Sequence, residues 1–355
     1  MTTPDDRAEP GQMPAVGESP SVVTAVQSGD EEAFTTLFDL HRKELRVHCY
    51  RMVGNLDDAE DLVQETFIRA WRGRSSFEGR STVRAWLYRI ATNACLDAIK
   101  RSNRRVQIVD PSAIAGRGPG FDEVPWLQPF PDNLLEPDPT HSGEPEAIVV
   151  AKETIALAFL AAIQHLEPRP RAVLILRDVL GWSAAETAEV LEGSIPAVNS
   201  ALQRARARMQ DIVGPSQPEW SPVTPPSEDE RRLVQRYMDA HQRADADAVI
   251  ALLGPDVRFS MPPELARFDG FEPVAGFFRD LFGEENPGEW RLIPVRANGQ
   301  PAAANYVKTW DGTTFDAATI DVFLIENGQI VEITTFFADS FPSFGLPVVF
   351  EEPRT

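Results

Sequence analysis

Apolar residues recur at helical spacing through two long stretches of the chain, residues 21–105 and 146–213. This spacing predicts two all-α domains. The pattern changes over residues 227–340, where an amphipathic helix leads into runs of alternating apolar and polar residues. Asn327-Gly328 separates two of these runs, and this dipeptide is typical of a two-residue β-hairpin turn. The C-terminal part is therefore predicted to be an α+β domain.

Residues 168–212 have the pattern of a helix-turn-helix, with the capping-box spacing at Ser183 and Glu186 marking the start of one short helix. The next helix is predicted to bury one apolar face, formed by Ile195, Val198, Leu202, Ala205 and Met209. Its other surface combines small residues, amides and arginines, which suits a helix in the DNA major groove. These candidate DNA-binding residues are Ser194, Pro196, Ala197, Asn199, Ser200, Gln203, Arg204 and Arg206. An ordinary packing unit with a basic solvent face is the alternative.

The first all-α stretch contains an acidic helix and, after a loop, a more basic one. The outward face of the acidic helix carries Asp57, Asp58, Glu60, Asp61, Gln64 and Glu65. The loop and the basic helix supply Phe77, Arg80, Arg84, Arg89, Asn93, Lys100 and Arg101. An aromatic residue among arginines suits an unstacked single-stranded base and its phosphates. A solvated charged face and a core position for Phe77 are the alternatives.

Proline-rich and polar segments divide the chain further. Residues 1–20 are expected to be a disordered tail, and residues 106–145 and 214–226 are expected to be linkers, the first of them acidic. Residues 341–355 are interpreted as a C-terminal tail.

The net charge of −20 is unevenly distributed. The C-terminal part from residue 227 onward carries −11 and residues 106–145 carry −6, whereas the two helical stretches carry +2 and −1. Neither helical stretch is basic enough for strong binding to duplex DNA on its own, because such affinity depends on neutralised phosphates. A further partner is therefore expected.

No apolar run is long enough for a transmembrane helix, and the N-terminus lacks the pattern of a signal peptide. Cys49 and Cys95 lie far apart in apolar helical patterns, as buried thiols do in a reducing cytoplasm. We therefore expect a cytoplasmic protein with no membrane partner, no metal and no cofactor.

Three segments in a fixed order carry a family resemblance: DDAEDLVQETFIRAW, STVRAWLYRIATNACLDAIKRSNRR and PRPRAVLILRDVLGWSAAETAEVL. Together they closely resemble the extracytoplasmic-function (ECF) sigma factors of bacterial RNA polymerase. The resemblance implies that the acidic helix docks on core RNA polymerase. It implies that the residues from Phe77 to Arg101 read the −10 promoter element and that the helix-turn-helix reads the −35 element. Polymerase would then supply much of the affinity for promoter DNA, and this chain the choice of sequence.

The apolar cluster between Trp126 and Leu135 is too hydrophobic for a simple spacer. In sigma factors such a linker threads the interior of the polymerase, and acidic side chains could mimic nucleic acid there. Alternatively, the cluster docks on the C-terminal domain of the same chain. Both interpretations remain open from the sequence.

Residues 227–340 resemble a SnoaL-like domain, which implies a cone-shaped α+β fold around a curved antiparallel sheet. Relatives of this fold include enzymes that use an Asp–His pair, and His241, Tyr306 and Trp310 are the candidate residues of a ligand pocket here. We expect no catalysis and a domain that modulates the sigma domains in cis. The alternatives are an enzyme or ligand sensor fused to a DNA-targeting arm, and a DNA-binding repressor that works without polymerase.

Overall fold

The computed structural model describes residues 20–77, 82–102, 124–135, 155–213, 226–264, 266–283, 288–309 and 312–350. Within these ranges, no helix is both long and apolar enough to cross a bilayer. The expected N-terminal tail, up to residue 19, lies outside the described residues, as does almost all of the linker 214–226.

Within its described residues, the first domain is a bundle of four helices. Asp30 caps the second helix through a hydrogen bond from the backbone nitrogen of Ala33, and Gly54, with φ of 71°, ends it. Apolar side chains from this helix and the next form the centre of the bundle, where the rings of Phe34 and Phe67 lie 4.9 Å apart. The helices are α1 Pro20–Ser28, α2 Glu31–Val53, α3 Leu56–Gly73 and α4 Val83–Ser102.

The second helical domain contains the predicted helix-turn-helix. The capping box forms as expected, because the backbone nitrogen of Glu186 donates to Ser183 Oγ over 3.1 Å and the Ser183 nitrogen donates to Glu186 Oε2 over 2.7 Å. A π-helical turn, Ile175–Val179, continues the second helix of the domain. The helices are α5 Leu157–Gln164, α6 Pro168–Leu174, α7 Ala184–Val190 and α8 Ile195–Val213.

The C-terminal domain packs helices against one face of an open seven-stranded sheet in the order β2-β1-β6-β5-β4-β3, with β7 beside β5. Its helices are α9 Glu228–Gln242, α10 Ala246–Ile250 and α11 Phe271–Leu281. Its strands are β1 Leu253–Ser260, β2 Arg267–Asp269, β3 Gly288–Ala297, β4 Gln300–Thr309, β5 Phe315–Glu326, β6 Gln329–Phe337 and β7 Val349–Phe350.

Two details correct the sequence-based expectations for this domain. The sheet is mixed rather than purely antiparallel, because β1 runs parallel to β6 with Phe259 opposite Ile333. The long connection between these strands permits the parallel pairing that a hairpin forbids. The expected tail 341–355 also contributes to the fold, since Phe350 pairs with Phe315 across β7 and β5.

Alternation along the strands gives the sheet two apolar faces. The inner face, with Ala303, Phe323 and Ile333, packs on α9 and α11. The outer face, with Tyr306 and Phe336, belongs to a second apolar cluster that continues through residues of segment 124–135 into both helical domains. The C-terminal domain thus shares a core with the rest of the chain.

The two helical domains also pack directly on each other, α4 lying against α6 and α7. The rings of Tyr88 and Trp182 are 5.1 Å apart across this junction. Arg171 of α6 is buried and donates to the backbone oxygen of Met52 over 2.5 Å and to Gln164 Oε1 over 2.6 Å. Burial lowers the pKa of Arg171 to about 10. Its contact with Met52 satisfies a carbonyl at the end of α2, where helix carbonyls lack partners.

Candidate functional site

The predicted acidic face lies on the accessible side of α3. Leu56, Ala59 and Leu62 bury the opposite side of the helix, whereas Asp61 and Gln64 are exposed. The other four acidic positions are exposed or half-buried: Asp57, Asp58, Glu60 and Glu65. Glu60 pairs with Arg46, and Glu65 Oε1 accepts from Arg69 Nε over 2.7 Å. The face therefore combines exposed acidic groups with groups held by ion pairs.

The beginning of α3 is capped partly by a distant residue. Asn55 is the N-cap and accepts from the backbone nitrogen of Asp58 over 2.9 Å. Gln128 Oε1 accepts from the backbone nitrogens of Leu56, over 2.9 Å, and Asp57, over 3.1 Å. Gln128 Nε2 also donates to the Asp57 carboxylate over 2.8 Å. A residue of the linker thus satisfies amides that a helix N-terminus normally leaves without partners.

The structure places Phe77 differently from the predicted base-stacking role. Its side chain is 8% exposed and its ring lies 5.0 Å from that of Trp86. Gln27 Nε2 donates to its backbone oxygen over 2.5 Å. In this arrangement Phe77 occupies the core position that the sequence left as an alternative. Arg80 lies outside the described residues.

The other predicted −10 residues line α4 and its end. Arg84 Nε donates to Glu44 Oε2 over 2.8 Å, and its guanidinium lies 5.7 Å from the centre of the Trp182 ring. Burial acts to lower the pKa of Arg84, but Glu44 and Tyr88 together outweigh it and raise that pKa. Arg89 and Asn93 are half-buried, whereas the last two predicted residues are exposed: Lys100 and Arg101. Contact with the second helical domain therefore occupies part of the predicted −10 surface.

The eight predicted −35 residues all lie exposed on α8 or at its N-cap: Ser194, Pro196, Ala197, Asn199, Ser200, Gln203, Arg204 and Arg206. Val198, Leu202 and Met209 pack into the core on the opposite side. Two of the arginines have partners within the chain. Arg204 Nη1 donates to Ser200 Oγ over 2.7 Å, and Arg206 makes two hydrogen bonds to Asp178 of 2.8 and 2.7 Å.

Ile195 departs from the predicted apolar seam. The pattern placed it with the buried residues of α8, yet it is 46% exposed. It is the first residue of the helix. A position at the helix end therefore escaped burial that its spacing predicted.

The three residues predicted to line a ligand pocket do not come together in the described part of the domain. His241 is 2% exposed, and its ring centre lies 4.8 Å from those of Phe282 and of Trp290. It is buried between α9, α11 and the inner face of the sheet, a region that we call the inner core. Tyr306 lies on the outer face of the sheet and donates to the backbone oxygen of Pro347 over 2.9 Å. Trp310 lies outside the described residues. His241 of α9 and Tyr306 of β4 lie on opposite sides of the sheet, so they do not line a common pocket in this structure. The sequence does not reveal which face of β4 Tyr306 occupies.

The inner core instead contains a polar cluster around Asp321. Its carboxylate accepts hydrogen bonds from Tyr237 over 2.9 Å, Asn305 over 2.7 Å and Thr335 over 2.7 Å. Burial raises the pKa of Asp321, although these donors partly oppose the effect. Burial also lowers the pKa of His241 to about 3, so this imidazole is neutral at pH 7.

Segment 124–135, which we call the brace, joins the first helical domain to the C-terminal domain. Tyr50 of α2 donates to the backbone oxygen of Gln128 over 2.6 Å, and its ring lies 4.9 Å from that of Phe130. On the other side, Pro131 forms a β-bridge with Ala297. Asp132 accepts from Arg296 over 3.0 Å. The brace therefore docks on the C-terminal domain, as one of the two sequence-based interpretations predicted.

Asn298, in the turn between β3 and β4, is the residue on which these contacts converge. It has φ of 56° and is fully buried. It exchanges two hydrogen bonds of 2.8 Å with the backbone of Phe130. Its Nδ2 donates to Tyr50 Oη over 3.0 Å and to the backbone oxygen of Ile155 over 2.6 Å. Asn298-Gly299 is a turn signal of the same kind as Asn327-Gly328, but the sequence around it carries no sign of these interdomain contacts.

Comparison with known proteins assigns each domain. The Sigma-70 region 2 family matches residues 37–105, the Sigma-70 region 4 family matches 156–209 and the SnoaL-like domain family matches 234–333. The ECF RNA polymerase sigma factor SigG of Mycobacterium tuberculosis is 40% identical over 338 residues, which cover 92% of this chain and 88% of SigG. This chain belongs to the ECF sigma factors.

Other ECF sigma factors resemble it over shorter or more divergent regions. SigW of Bacillus subtilis is 30% identical over 188 residues, which cover 53% of this chain and 92% of SigW. The crystal structure of SigJ from M. tuberculosis superposes with a TM-score of 0.56 at 24% identity, covering 88% of this sigma factor and 99% of the SigJ chain. This likeness confirms the fold, with helical sigma domains followed by a SnoaL-like domain.

Proposed function

We propose that this ECF sigma factor binds core RNA polymerase through the acidic face of α3 and directs it to promoters. In this proposal, α4 and the loop before it read the −10 element, and the exposed face of α8 reads the −35 element. The observation that carries the proposal is the accessibility of all eight candidate residues on α8, whose buried side packs into the helix-turn-helix.

Reconstitution with core polymerase tests this proposal. Asp61→Lys reverses an exposed charge in the middle of the acidic face and should abolish polymerase binding and run-off transcription. Asp256→Lys makes the same change at an exposed position of the C-terminal domain and should leave both near the wild-type level. Gln203→Ala should reduce promoter-directed transcription but retain polymerase binding. Equal binding of polymerase by Asp61→Lys and the unaltered chain would contradict the docking site.

We also propose that the C-terminal domain regulates the sigma domains in cis by holding them in a closed arrangement. Promoter elements centred near −10 and −35 are about 25 base pairs apart, or roughly 85 Å along the duplex. In the closed arrangement α4 packs against α6 and α7, and part of the −10 surface lies in that junction. The helical domain that reads the −10 element and the one that reads the −35 element, together called the readers, must therefore separate before both elements can be engaged.

The connection between the readers is long enough for this separation once the brace is released. Residues 103–154 span roughly 170 Å when fully extended. The brace shortens this reach by fixing residues 124–135 to α2, to α3 and to the C-terminal domain. Because the C-terminal domain is tethered to the same chain, its effective concentration at the brace is high.

Asn298 provides the direct test of closure. Asn298→Gly removes three side-chain hydrogen bonds and tolerates the positive φ. It should increase transcription from a cognate promoter, with core polymerase held below saturation. Asn327→Gly, in the exposed turn, is the matched control. If the two variants transcribe equally, the proposed regulation through the brace is wrong.

We assign no catalytic role to the C-terminal domain. Three donors already hold the Asp321 carboxylate, and His241 lies among aromatic rings in the inner core. General acid–base catalysis needs such a group to reach a substrate. An enzyme fused to a DNA-targeting arm is therefore not favoured.

A further inference from the structure

The DNA-reading helix begins with an apolar residue that the described part of the chain leaves about half exposed. Ile195 is 46% exposed, one of four exposed large apolar residues among the described ranges. Pro196 and Ala197 follow it and are also exposed. A branched aliphatic side chain at the first position of a recognition helix is close to the base edges, because the N-terminal residues of that helix contact the bases.

Ile195 lies next to an amide on the same edge of the helix. Asn199 is four residues further on, and side chains at this spacing are surface neighbours on a helix. Asn199 is exposed. In the major groove an A·T pair offers the C5-methyl group of thymine together with N6 and N7 of adenine, which an asparagine can bind with two hydrogen bonds. An aliphatic group beside an amide therefore complements an A·T pair.

The arginines of this face have other contacts. Guanine is most often read by an arginine or lysine that binds O6 and N7. Arg206 makes two hydrogen bonds to Asp178, and Arg204 donates to Ser200 Oγ. Their guanidinium groups are thus partly engaged within the protein, whereas Ile195 presents its surface outward. The balance on this edge of α8 favours apolar and amide contacts.

We propose that Ile195 and Asn199 form a specificity pair that reads an A·T base pair of the −35 element, with Ile195 against the thymine C5-methyl group. This inference rests on the proposed −35 role of α8. Replacing a thymidine of the DNA by deoxyuridine removes only the C5-methyl group of the base and leaves base pairing intact. Loss of one buried methyl contact corresponds to an affinity change of about fourfold.

The experiment uses the full-length protein reconstituted with core polymerase. The holoenzyme first selects promoters from a library with a randomised −35 element. Single thymines of the selected element are then replaced by deoxyuridine, and binding is measured for the unaltered chain, Ile195→Ala and Val348→Ala. Val348 is 53% exposed and lies near the C-terminal strand, so its substitution controls for loss of an exposed aliphatic group.

One deoxyuridine position should weaken binding about fourfold for the unaltered chain and for Val348→Ala, and should leave Ile195→Ala unaffected. Asn199→Ala should lose the preference for adenine at the same or the adjacent base pair. If deoxyuridine weakens Ile195→Ala as much as the unaltered chain at every position, the methyl contact is wrong while the −35 role of α8 stands. If the unaltered holoenzyme selects no −35 sequence at all, the proposed role of α8 is itself overturned.

Discussion

The C-terminal domain contains two hairpin turns with the same dipeptide and opposite surroundings. Asn298-Gly299 joins β3 to β4, and Asn327-Gly328 joins β5 to β6. Both asparagines have positive φ, 56° and 52°. Asn327 is exposed, whereas Asn298 is fully buried against the brace and α2. The same local signal thus makes one turn that only reverses the chain and another that also joins domains.

The comparison separates two uses of an asparagine side chain. In a tight turn, asparagine is favoured because it tolerates the left-handed backbone conformation. At Asn298 the side chain also bonds Phe130, Tyr50 and the backbone before α5. Each such hydrogen bond contributes about 1 kcal/mol, and losing one partner leaves a buried group unsatisfied. Asn298 therefore contributes to the contact between domains through hydrogen bonds that its turn geometry alone does not reveal.

The largest predicted effect breaks the comparison at Asn298. Asn298→Gly should weaken docking of the C-terminal domain by about 3 kcal/mol, since three side-chain hydrogen bonds are lost. Amide hydrogen exchange near Phe130 and a rise in the radius of gyration would measure this. Asn327→Gly should change the free energy of unfolding by less than about 0.5 kcal/mol. Equal protection of Phe130 in both variants would contradict the assigned role of Asn298.

A second test uses pH, because neither turn asparagine titrates but the domain cores contain histidines that do. Burial lowers the pKa of His48 and of His241 to about 3. In the unfolded chain each histidine has its ordinary pKa of about 6.5, so it binds a proton as the pH falls below that value. The folded state excludes this proton. Each therefore stabilises the folded state above pH 6.5 and loses about 2 kcal/mol of this contribution by pH 5.

Urea unfolding of the full-length chain at pH 7 and pH 5 checks this pH dependence. His241→Phe places an aromatic ring among the rings of Phe282 and Trp290 and removes the titrating group. It should reduce the acid sensitivity of the C-terminal domain by the contribution of one histidine. The unfolding of the N-terminal domain, which retains His48, should keep its own acid sensitivity. An unchanged pH dependence of the C-terminal domain in His241→Phe would exclude His241 as its source.

A smaller effect is expected where the brace meets α3. Gln128→Ala removes the side chain that accepts from the amides of Leu56 and Asp57, and loss of a helix cap costs about 1 kcal/mol. Exchange at these two amides should increase, while exchange in the middle of α3 should not. Gln210→Ala, at an exposed position of α8, should leave exchange at the Leu56 and Asp57 amides unchanged. If Asn298→Gly also increases exchange at the Leu56 and Asp57 amides, the turn at Asn298 and the start of the acidic helix are coupled through the brace.

Local features of the fold could be predicted from the sequence because they depend on neighbours a few residues apart. The capping box at Ser183 and the hairpin at Asn327-Gly328 formed as the spacing indicated. Helical periodicity also predicted the exposed face of α8, apart from Ile195 at its first position. Such features carry their own signal within about one turn of helix or one pair of strands.

The residues that the sequence did not reveal act across long stretches of chain. Gln128 caps a helix more than 70 residues earlier in the sequence, and Asn298 contacts Tyr50 across 248 residues. Periodicity could not place Phe77 in the core, nor His241 and Tyr306 on opposite sides of the sheet. These outcomes depend on which domain packs on which face. A single sequence provides no direct signal for such packing.

The outer face of the sheet has a consequence for how the chain opens. Tyr306, Ile320 and Phe336 belong to the same apolar cluster as Phe130 and the cores of the helical domains. Separating the domains would turn part of this shared interior into wet surface, at about 25 cal/mol for each Å² exposed. If the domains separate as proposed, the chain exchanges one hydrophobic partner for another, and a polymerase surface that covers the exposed side chains would favour separation during assembly. The unbound chain would meanwhile remain closed.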